Sequence, residues 1–296
     1  MTAPIGEGAL EASAPAKVNL FLHVRRLADD GYHPLSSLVV FADLGDRLTL
    51  APAARSELVL HGPFAGDLPH SEANLAFAAL RRFEAWAGRP VGPFRISLEK
   101  NLPVASGLGG GSSDAAAALR LLAQSAGGEG PSLDALLALA VDLGADVPAC
   151  IFAKAVIAEG RGERLSKAPI LPPLPTVLAN PGVPCPTAEI FTAFDQSPFL
   201  GPPPPSLPER FLSTGALAQF LASCRNDLEA PAVARVPQLG EMLTLMREAP
   251  ETLLARVSGS GASAFAICPD RRRSERLAQR IAARRPDWWV RSCTLS

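Results

Sequence analysis

The feature that most constrains this chain is a glycine-rich segment, PVASGLGGGSSD, at residues 103–114. Four of the five residues in 107–111 are glycine, so the backbone there can adopt positive φ and approach a ligand without a Cβ in the way. The alternating run FRISLEK (94–100) precedes it and predicts a strand, whereas the alanine-rich run that follows predicts a helix from Ser112. A loop between a strand and a helix N-terminus offers free N–H groups to an anion. The sequence therefore predicts a phosphate-binding loop.

Two familiar nucleotide-binding motifs do not account for this loop. A Walker A loop needs Gly-Lys-Ser/Thr, which occurs nowhere in the chain. Residues 259–264 have the form G-x-G-x-x-A, but the apolar AFAIC that overlaps their end predicts a strand, whereas the dinucleotide fingerprint must open a helix. We therefore do not predict a dehydrogenase. The hydroxyls of Ser112 and Ser113 can cap the helix or reach a phosphate-bound Mg²⁺, and both alternatives stay open.

Charge and composition exclude several classes of partner. The 296 residues include 28 Lys+Arg and 29 Asp+Glu, a formal net charge of -1, which disfavours a nucleic-acid binder. No run of 18 apolar residues occurs, so no membrane span is expected. The first residues lack the basic start and apolar stretch of a signal peptide, which predicts a cytoplasmic protein. The cysteines form no C-x-x-C pair and the histidines no H-E-x-x-H motif, so a transition-metal site is not expected.

Length predicts two domains, since one domain usually takes about 150 residues. We expect the boundary near residue 165, where proline-punctuated sequence begins, with domains at 1–165 and 166–296. In the first domain, 14–24 predicts a half-buried strand with Lys17 and Asn19 on one face. The other predicted elements are a strand over 35–50, helices over 72–86, 132–144, 215–224, 238–248 and 270–285, and strands flanking 258–263.

At the glycine loop, the pattern P-x-x-x-G-L-G-x-G-S-S-x-A resembles the phosphate-binding motif of the GHMP kinases, which include galactokinase and the homoserine, mevalonate and phosphomevalonate kinases. The segments APAKVNLFLHV, DDGYHPL, LGADVP, NPGVPCPTAEIF, RNDLEAPA and VSGSGASAFAI extend the resemblance in order from about residue 14 to 268. Within the family, this set is similar to the subfamily that acts on 4-diphosphocytidyl-2-C-methylerythritol in the non-mevalonate isoprenoid pathway.

The resemblance implies the two-domain GHMP kinase fold, which is of the α+β class. An N-terminal mixed-sheet domain would carry the glycine loop, and the C-terminal domain would be a ferredoxin-like α/β sandwich. It also implies ATP and Mg²⁺ as cofactors, a cytidyl diphosphate acceptor as small-molecule partner, and phosphoryl transfer to the acceptor's 2-hydroxyl. Two residues would be catalytic: Lys17 would neutralise charge at the transferred group, and Asp146 would orient or deprotonate the hydroxyl. From spacing alone, Asp146 is also an N-cap of a short helix at Val147-Pro148, and this alternative stays open.

The binding residues that the resemblance implies fall into two sets. The first would bind ATP and, through its two serines, Mg²⁺: Pro103, Val104, Ala105, Ser106, Gly107, Leu108, Gly109, Gly110, Gly111, Ser112, Ser113, Lys100 and Asn74. The second would bind the acceptor: Asn19, Tyr32, His33, Thr187, Phe191, Ser260 and Gly261.

In the second set, Tyr32 and His33 would meet the cytosine, with Phe191 closing the other side of the ring and Thr187 nearby. Stacking of this kind is worth about 1–3 kcal/mol per base. Phe191 can equally be a core residue. Ser260 and Gly261 would approach the acceptor's diphosphate.

Two other functions stay open at this point. The chain could phosphorylate a different acceptor, homoserine or phosphomevalonate, which needs no aromatic base site. It could also be a non-catalytic sugar or nucleotide sensor on the same scaffold, since a fold does not fix a function.

Overall fold

The computed structural model describes residues 8–69, 72–196 and 201–296, and their contacts divide them into two compact units. The first unit comprises the described residues of Met1–Ala16 together with Gly45–Val104 and Gly110–Phe152. The second comprises Lys17–Leu44, Ala105–Gly109 and Ala153–Ser296. Each unit is therefore assembled from separate stretches of chain, and a boundary near residue 165 stays a prediction.

Within its described residues, the first unit contains a mixed sheet and four α-helices. Its elements, of which the first two strands also contribute residues to the second unit, are β1 (Leu10–Val24), β2 (Leu35–Pro52), β3 (Glu57–His61), α1 (Leu75–Ala87), β4 (Phe94–Glu99), α2 (Gly110–Ala126), α3 (Leu133–Leu143) and α4 (Val147–Phe152). Strand β4 pairs antiparallel with β2 and parallel with β3, which confirms the predicted mixed sheet.

Helix α2 is the central helix of the first unit, and α1, α3 and α4 contact it. Its alanines 115–118 are all buried, and their small side chains let the neighbouring helices approach closely. The helix begins at Gly110, two residues earlier than predicted. Gly110 and Gly111 therefore belong to its first turn instead of to the preceding loop.

The second unit adds six strands and five helices within its described residues. They are β5 (Val156–Gly160), β6 (Arg164–Lys167), β7 (Leu174–Asn180), α5 (Thr187–Gln196), α6 (Thr214–Ala222), α7 (Glu229–Arg235), α8 (Pro237–Arg247), β8 (Leu254–Val257), β9 (Ala264–Ile267), α9 (Arg271–Arg284) and β10 (Trp289–Leu295). Strands β5 and β6 form an antiparallel hairpin, and β5 also pairs with the start of β2.

The last four strands have ferredoxin-like topology. They are antiparallel in the order β10-β7-β9-β8, with α5 to α8 connecting β7 to β8 and α9 connecting β9 to β10. This is a β-α-β-β-α-β arrangement. It confirms the predicted α+β class and the predicted ferredoxin-like sandwich.

The expectation of a half-buried β1 is wrong, because the strand is buried on both faces from Ala16 to Val24. The polar side chains of this stretch are as inaccessible as the apolar ones: Lys17 is 4%, Asn19 4% and His23 5% exposed. Burial, assisted by the charge of Arg225, lowers the pKa of His23 to about 4. The imidazole is therefore neutral at physiological pH, and its Nε2 accepts a hydrogen bond from the Arg225 N–H at 3.3 Å.

Arg256 on β8 is a buried cation that is held by backbone oxygens. Its guanidinium donates to the carbonyl oxygens of Leu20 at 2.8 Å, Leu221 at 2.9 Å and Cys224 at 2.7 Å. Burial lowers its pKa from the ordinary value, although an arginine stays charged. The side chain thereby joins β1, the end of α6 and β8 within the second unit.

No helix in the described ranges is long and apolar enough to cross a membrane. All five cysteine thiols are free and buried.

Replacing Arg256 by Met should destabilise the second unit, because three buried carbonyl oxygens would lose their donors. Each unsatisfied buried group costs about 1–3 kcal/mol, so we expect the free energy of unfolding in urea to fall by at least about 2 kcal/mol. Arg276→Met, on the exposed face of α9, is the control and should change stability by less than about 0.5 kcal/mol. Equal stability of the two variants would contradict this role of Arg256.

Candidate active site

Residues 105–109 form a loop of the second unit that is fixed through its backbone. Three of its residues have positive φ: Ala105 (49°), Gly107 (76°) and Gly109 (62°). The carbonyl oxygen of Ser106 accepts from the Ser263 N–H at 2.9 Å. The carbonyl of Leu108 accepts from the Lys17 N–H at 2.8 Å. An alanine with positive φ is uncommon, and such strain is frequent at functional sites.

Gly107 is the closest point between this loop and the turn at 258–261. A Cβ on residue 107 would lie 2.7 Å from the carbonyl oxygen of Gly261 and still closer to that of Ser258. Both neighbours are backbone atoms, which cannot rotate aside. Only glycine therefore fits at this position.

Lys17 runs alongside the loop at Gly109. A Cβ on Gly109 would lie 3.0–3.4 Å from the Cβ, Cε and Cδ atoms of Lys17, so the aliphatic stem of the lysine passes next to the glycine. The side chain is 4% exposed, and its ammonium is therefore carried by a stem that cannot swing freely into solvent. The Lys17 side chain therefore lies beside the glycine loop, and its catalytic role stays a prediction.

The turn 258–261 is held by side-chain hydrogen bonds. Ser258 Oγ donates to the carbonyl of Gly107 at 3.0 Å and accepts from the Asn19 N–H at 3.3 Å. The amide of Asn226 donates to the carbonyl oxygens of Val257 at 2.9 Å and Gly259 at 2.7 Å. The turn is thus rigidly tied to the 105–109 loop and to β1.

Two residues predicted to bind the acceptor lie together here. The hydroxyls of Thr187, the first residue of α5, and Ser260 are 2.9 Å apart. The Cys185 thiol donates to the Ser260 carbonyl at 3.2 Å. Thr187 is exposed whereas Ser260 is 6% exposed, so this hydroxyl pair runs from the interior to the surface. Gly261 follows with φ of 88°.

Asn19 carries a buried acceptor with no hydrogen-bond partner among the described residues, its Oδ1. The orientation of the amide follows from its neighbours: Ser37 Oγ donates to the Phe21 carbonyl at 2.6 Å and therefore accepts from Asn19 Nδ2 at 2.7 Å. A Cβ on Gly259 would lie 3.5 Å from Oδ1. A buried acceptor of this kind is costly unless a ligand donor satisfies it.

The predicted base site is arranged differently from expectation. The rings of His33 and Phe191 stack directly, with centroids 4.9 Å apart and planes inclined by 26°. His33 Nδ1 lies 2.9 Å from the Arg25 carbonyl oxygen, to which it must donate, and Nε2 lies 3.4 Å from a carboxylate oxygen of Asp195. Phe191 also packs against the core. A base cannot lie between His33 and Phe191, and Tyr32, which is 52% exposed, is the ring available to stack on it.

In the first unit, the first turn of α2 is the place where the sequence predicts an anion site. Gly110, Gly111 and Ser112 lie in this turn, whose N–H groups have no partner within the helix. Ser113 Oγ instead donates to the Pro15 carbonyl at 2.7 Å, and the residue is 1% exposed. Of the two serines, Ser112 alone is therefore retained as a candidate metal ligand.

Lys100 has a structural position in the first unit that the sequence did not indicate. Its ammonium lies 2.5 Å from Asp46 and 2.7 Å from Asp114, and all three side chains are almost fully buried. Asp46 also accepts from the N–H groups of Asn101 at 2.6 Å and Leu102 at 2.8 Å. The ammonium is already paired with these two carboxylates, so binding of ATP, which the resemblance implied for Lys100, is not proposed.

Two members of this cluster, Lys100 and Asp114, have shifted pKa values. Burial disfavours the Lys100 ammonium, but the carboxylates of Asp114 and Asp46 outweigh it and raise the pKa of Lys100. Burial raises the pKa of Asp114 to about 7, against the opposing attraction of Lys100. A Cβ on Gly110 would lie 2.8 Å from Lys100 Nζ, so the cluster also fixes the residue at which α2 begins.

The remaining predicted residues of the first unit have backbone or capping roles. Asn74 is 5% exposed and caps α1, with its Oδ1 accepting from the Ala76 N–H at 3.0 Å. Pro103 is buried and Val104 half-buried, so they enter the loop mainly through their backbone. Asp146 is half-buried and precedes α4, where its carbonyl accepts from the Cys150 N–H at 3.3 Å. The predicted capping position of Asp146 is thus observed, and its catalytic role stays a prediction.

Two family models match the chain: the GHMP kinases N terminal domain over residues 74–154 and the GHMP kinases C terminal over residues 212–287. A curated protein of Caulobacter vibrioides, named 4-diphosphocytidyl-2-C-methyl-D-erythritol kinase, is 52% identical and covers 97% of this chain and 99% of its own. The chain belongs to the GHMP kinase family. It is therefore a phosphotransferase of that family, and ATP is the substrate that the family membership implies.

Further relatives match this GHMP kinase over nearly its whole length. A protein of Methylobacterium radiotolerans with the same name is 49% identical and covers 94% of this chain and 96% of its own. The crystal structure of a 4-(cytidine 5'-diphospho)-2C-methyl-D-erythritol kinase matches with a TM-score of 0.79 and 36% identity, covering 97% of this chain and 99% of that one. Homoserine kinase from Cytophaga hutchinsonii shares the fold alone, at a TM-score of 0.70, 18% identity and coverage of 99% and 98%. The predicted GHMP kinase fold is confirmed.

Sequence reasoning missed several residues that organise this GHMP kinase. Asp46 follows a strand pattern with nothing to mark it as a partner of Lys100. Ser258 and Asn226 lie inside segments that already carried the family resemblance, and only the small polar side chain of Ser258 beside Gly259 could have signalled a role. Their hydrogen bonds cross more than 30 residues of chain, which no local pattern records.

Gly107→Ala should severely impair the protein, because the new Cβ would overlap two carbonyl oxygens at a residue with positive φ. We expect a lower thermal midpoint and a loss of most kinase activity. Gly215→Ala is the matched control: it lies within α6, where its nearest neighbour would be 3.9 Å away, so stability should be unchanged or rise by about 0.4–1 kcal/mol. A fully active, stable Gly107→Ala variant would refute the close approach.

Asp114 should make stability depend on pH in a defined direction. In the folded chain its pKa is raised from 3.8 to about 7, so in this window the native state holds a proton that the unfolded chain has lost. The free energy of unfolding should then decrease as pH rises through the window. Asp114→Asn should remove that decrease, as measured by urea unfolding at successive pH values. Asp142→Asn, an exposed carboxyl on α3, should retain it, and parallel profiles for wild type and Asp114→Asn would contradict the assignment.

Proposed function

We propose that this GHMP kinase phosphorylates the 2-hydroxyl of 4-diphosphocytidyl-2-C-methyl-D-erythritol with ATP, giving the 2-phosphate and ADP. The observation that carries the proposal is the lysine stem of Lys17 passing beside Gly109 in a loop of positive-φ residues. This pairs a cation with backbone groups suited to phosphates. The acceptor is supported by the names of relatives that are 52% and 49% identical over nearly the whole chain.

Main-chain groups would bind the phosphates of ATP. The free N–H groups of the first turn of α2, at Gly110, Gly111 and Ser112, offer charge-assisted hydrogen bonds and the positive end of the helix dipole. No excess of basic side chains is then needed, which accords with the net charge of -1.

Phosphoryl transfer requires charge stabilisation and an oriented nucleophile. In the proposed step, the acceptor oxygen bonds to the γ-phosphorus while the bond to the bridging oxygen breaks and ADP leaves. Lys17 would stabilise the negative charge on the transferred group. Asp146 would accept a hydrogen bond from the hydroxyl, orient it, and take its proton.

Mg²⁺ fits this chain through one hydroxyl. The described residues hold no group of three His, Cys, Asp or Glu side chains that could bind a metal ion. Kinase Mg²⁺ usually has one or two protein ligands and is otherwise bound by phosphates and water. Ser112, half-buried in the first turn of α2, is the ligand we propose. When bound, the ion would neutralise phosphate charge.

The acceptor would be bound by the second unit. The unpartnered Oδ1 of Asn19 can accept from an acceptor hydroxyl, and the Thr187–Ser260 hydroxyl pair can donate to its diphosphate. The exposed ring of Tyr32 would stack on the cytosine. A cytoplasmic location is also proposed, because the five buried thiols are free, as is usual in a reducing compartment.

The assay is ADP release from purified protein with ATP, Mg²⁺ and each of three acceptors: the cytidyl compound, homoserine and phosphomevalonate. We expect turnover only with the cytidyl compound. Asp146→Asn should lower kcat by about 10²–10⁴-fold, the usual contribution of a positioned acid or base. Lys17→Ala should lower it by about 10²–10³-fold, the usual loss when one group that stabilises transition-state charge is removed. Asp142→Asn and Lys154→Ala, both exposed, are the matched controls and should retain wild-type kcat.

Each alternative has its own outcome in this screen. Turnover with homoserine or phosphomevalonate alone would assign a different acceptor. Absence of turnover with all three would favour a non-catalytic sensor. Full activity of Asp146→Asn and Lys17→Ala would disprove the roles proposed for these residues.

A further inference from the structure

We propose that Arg161 is a positioning residue that holds the ring of Tyr32 ready to stack on the cytosine of the acceptor. Its guanidinium carbon lies 3.8 Å from the centroid of the Tyr32 ring. The same guanidinium pairs with Asp30 at 3.0 Å. The proposal deepens the proposed function and rests on it, because it concerns the pyrimidine half of the cytidyl acceptor.

The loop that carries Tyr32 is a tight turn closed on itself. The Ala28 N–H donates to the Tyr32 carbonyl at 2.9 Å, and the Gly31 N–H donates to the Ala28 carbonyl at 3.0 Å. Asp30 Oδ1 accepts from the Tyr32 N–H at 3.0 Å. These contacts fix the backbone of Tyr32 but leave its χ angles free, since none of them involves the ring.

Arg161, which lies in a different part of the chain, contacts the ring of Tyr32. It lies in the turn between β5 and β6, where Gly160 and Gly162 have φ of 71° and 118°. Its own N–H donates to Glu163 Oε2 at 2.7 Å, which fixes the turn. One carboxylate, Asp30, therefore receives the Tyr32 backbone on Oδ1 and the Arg161 side chain on Oδ2.

The stacked guanidinium occupies one face of an exposed ring. Tyr32 is 52% exposed, so a large part of its side chain remains accessible for a second planar group. A planar cation against one face of a tyrosine restricts the ring through cation–π attraction, which lysine provides less well because its ammonium is not planar. Pre-ordering the ring lowers the entropic cost of stacking when the acceptor binds.

A positioning role for Arg161 predicts a specific effect on the kinetic constants. Arg161 should affect binding of the cytidyl acceptor through Tyr32, and it should leave ATP binding and the chemical step unchanged. We expect Arg161→Met to raise the acceptor KM about three- to fivefold, in keeping with an exposed cation–π contact. The KM for ATP and the kcat should stay at wild-type values.

A double-mutant cycle with Tyr32 tests whether Arg161 acts through the ring. Tyr32→Ala should itself raise the acceptor KM, and adding Arg161→Met to it should produce no further increase. Arg161→Lys retains a charge beside Asp30 but not the planar group, so most of the rise should persist. Arg164→Met, an exposed arginine of the same hairpin, is the matched control and should leave every kinetic constant unchanged.

Three results would overturn the proposal: an unchanged acceptor KM in Arg161→Met, an additive effect in the Tyr32→Ala background, or full recovery in Arg161→Lys. Far-UV circular dichroism and thermal midpoints equal to wild type are expected, because Arg161 is exposed on a hairpin. A lowered kcat with unchanged acceptor KM would indicate a different role and also overturn it. Wild-type protein that does not turn over the cytidyl acceptor at all would instead contradict the proposed function.

Discussion

The first unit of this protein is organised around a lysine buried between two aspartates. Lys100 directly follows β4, Asp46 belongs to β2 and Asp114 to the first turns of α2, so one ammonium ties together three segments of that unit. Breaking such a buried ion pair typically costs about 3–5 kcal/mol, because the partner charge is left uncompensated. The arrangement is thus less a source of net stability than a way to specify where the strand stops and the helix starts.

In the second unit, a glycine allows two backbone segments to pack directly against each other. The loop at 105–109 and the turn at 258–261 approach until a single Cβ at Gly107 would overlap backbone oxygens. Hydrogen bonds from Ser258 and Asn226 then fix the turn, and Lys17 is aligned by its own N–H bond to Leu108. Small residues and amides replace charged side chains in building the site, which explains how a chain without excess positive charge can belong to a phosphotransferase family.

Local sequence patterns predicted most helices and strands around the glycine loop. They did not predict which residues form hydrogen bonds with the buried polar groups. Hydrophobic periodicity and flanking turn residues predicted the strand β4, the helix α3 and the strand pair β8–β9. The start of α2 was predicted two residues too late, because glycine is a poor helix former. The alternation in β1 indicated a half-buried strand, whereas both faces are covered. In the buried Asn19, Ser37 accepts from the side-chain amide and Ser258 from the backbone N–H, whereas Oδ1 has no partner among the described residues. The stacking of His33 on Phe191 depends on tertiary packing that spacing cannot record.

The proposed binding of the nucleotide phosphates at the first turn of α2 has a consequence for how the nucleotide associates and remains bound. Peptide N–H groups carry no ionisable proton, so the strength of this donor set cannot drift with the acidity of the medium; only the ligand's own phosphates and neighbouring side chains can titrate. With no surplus of basic side chains, long-range attraction of a polyanion is also weak. Capture of the nucleotide would then be governed by short-range fit, and its association rate should be nearly indifferent to ionic strength.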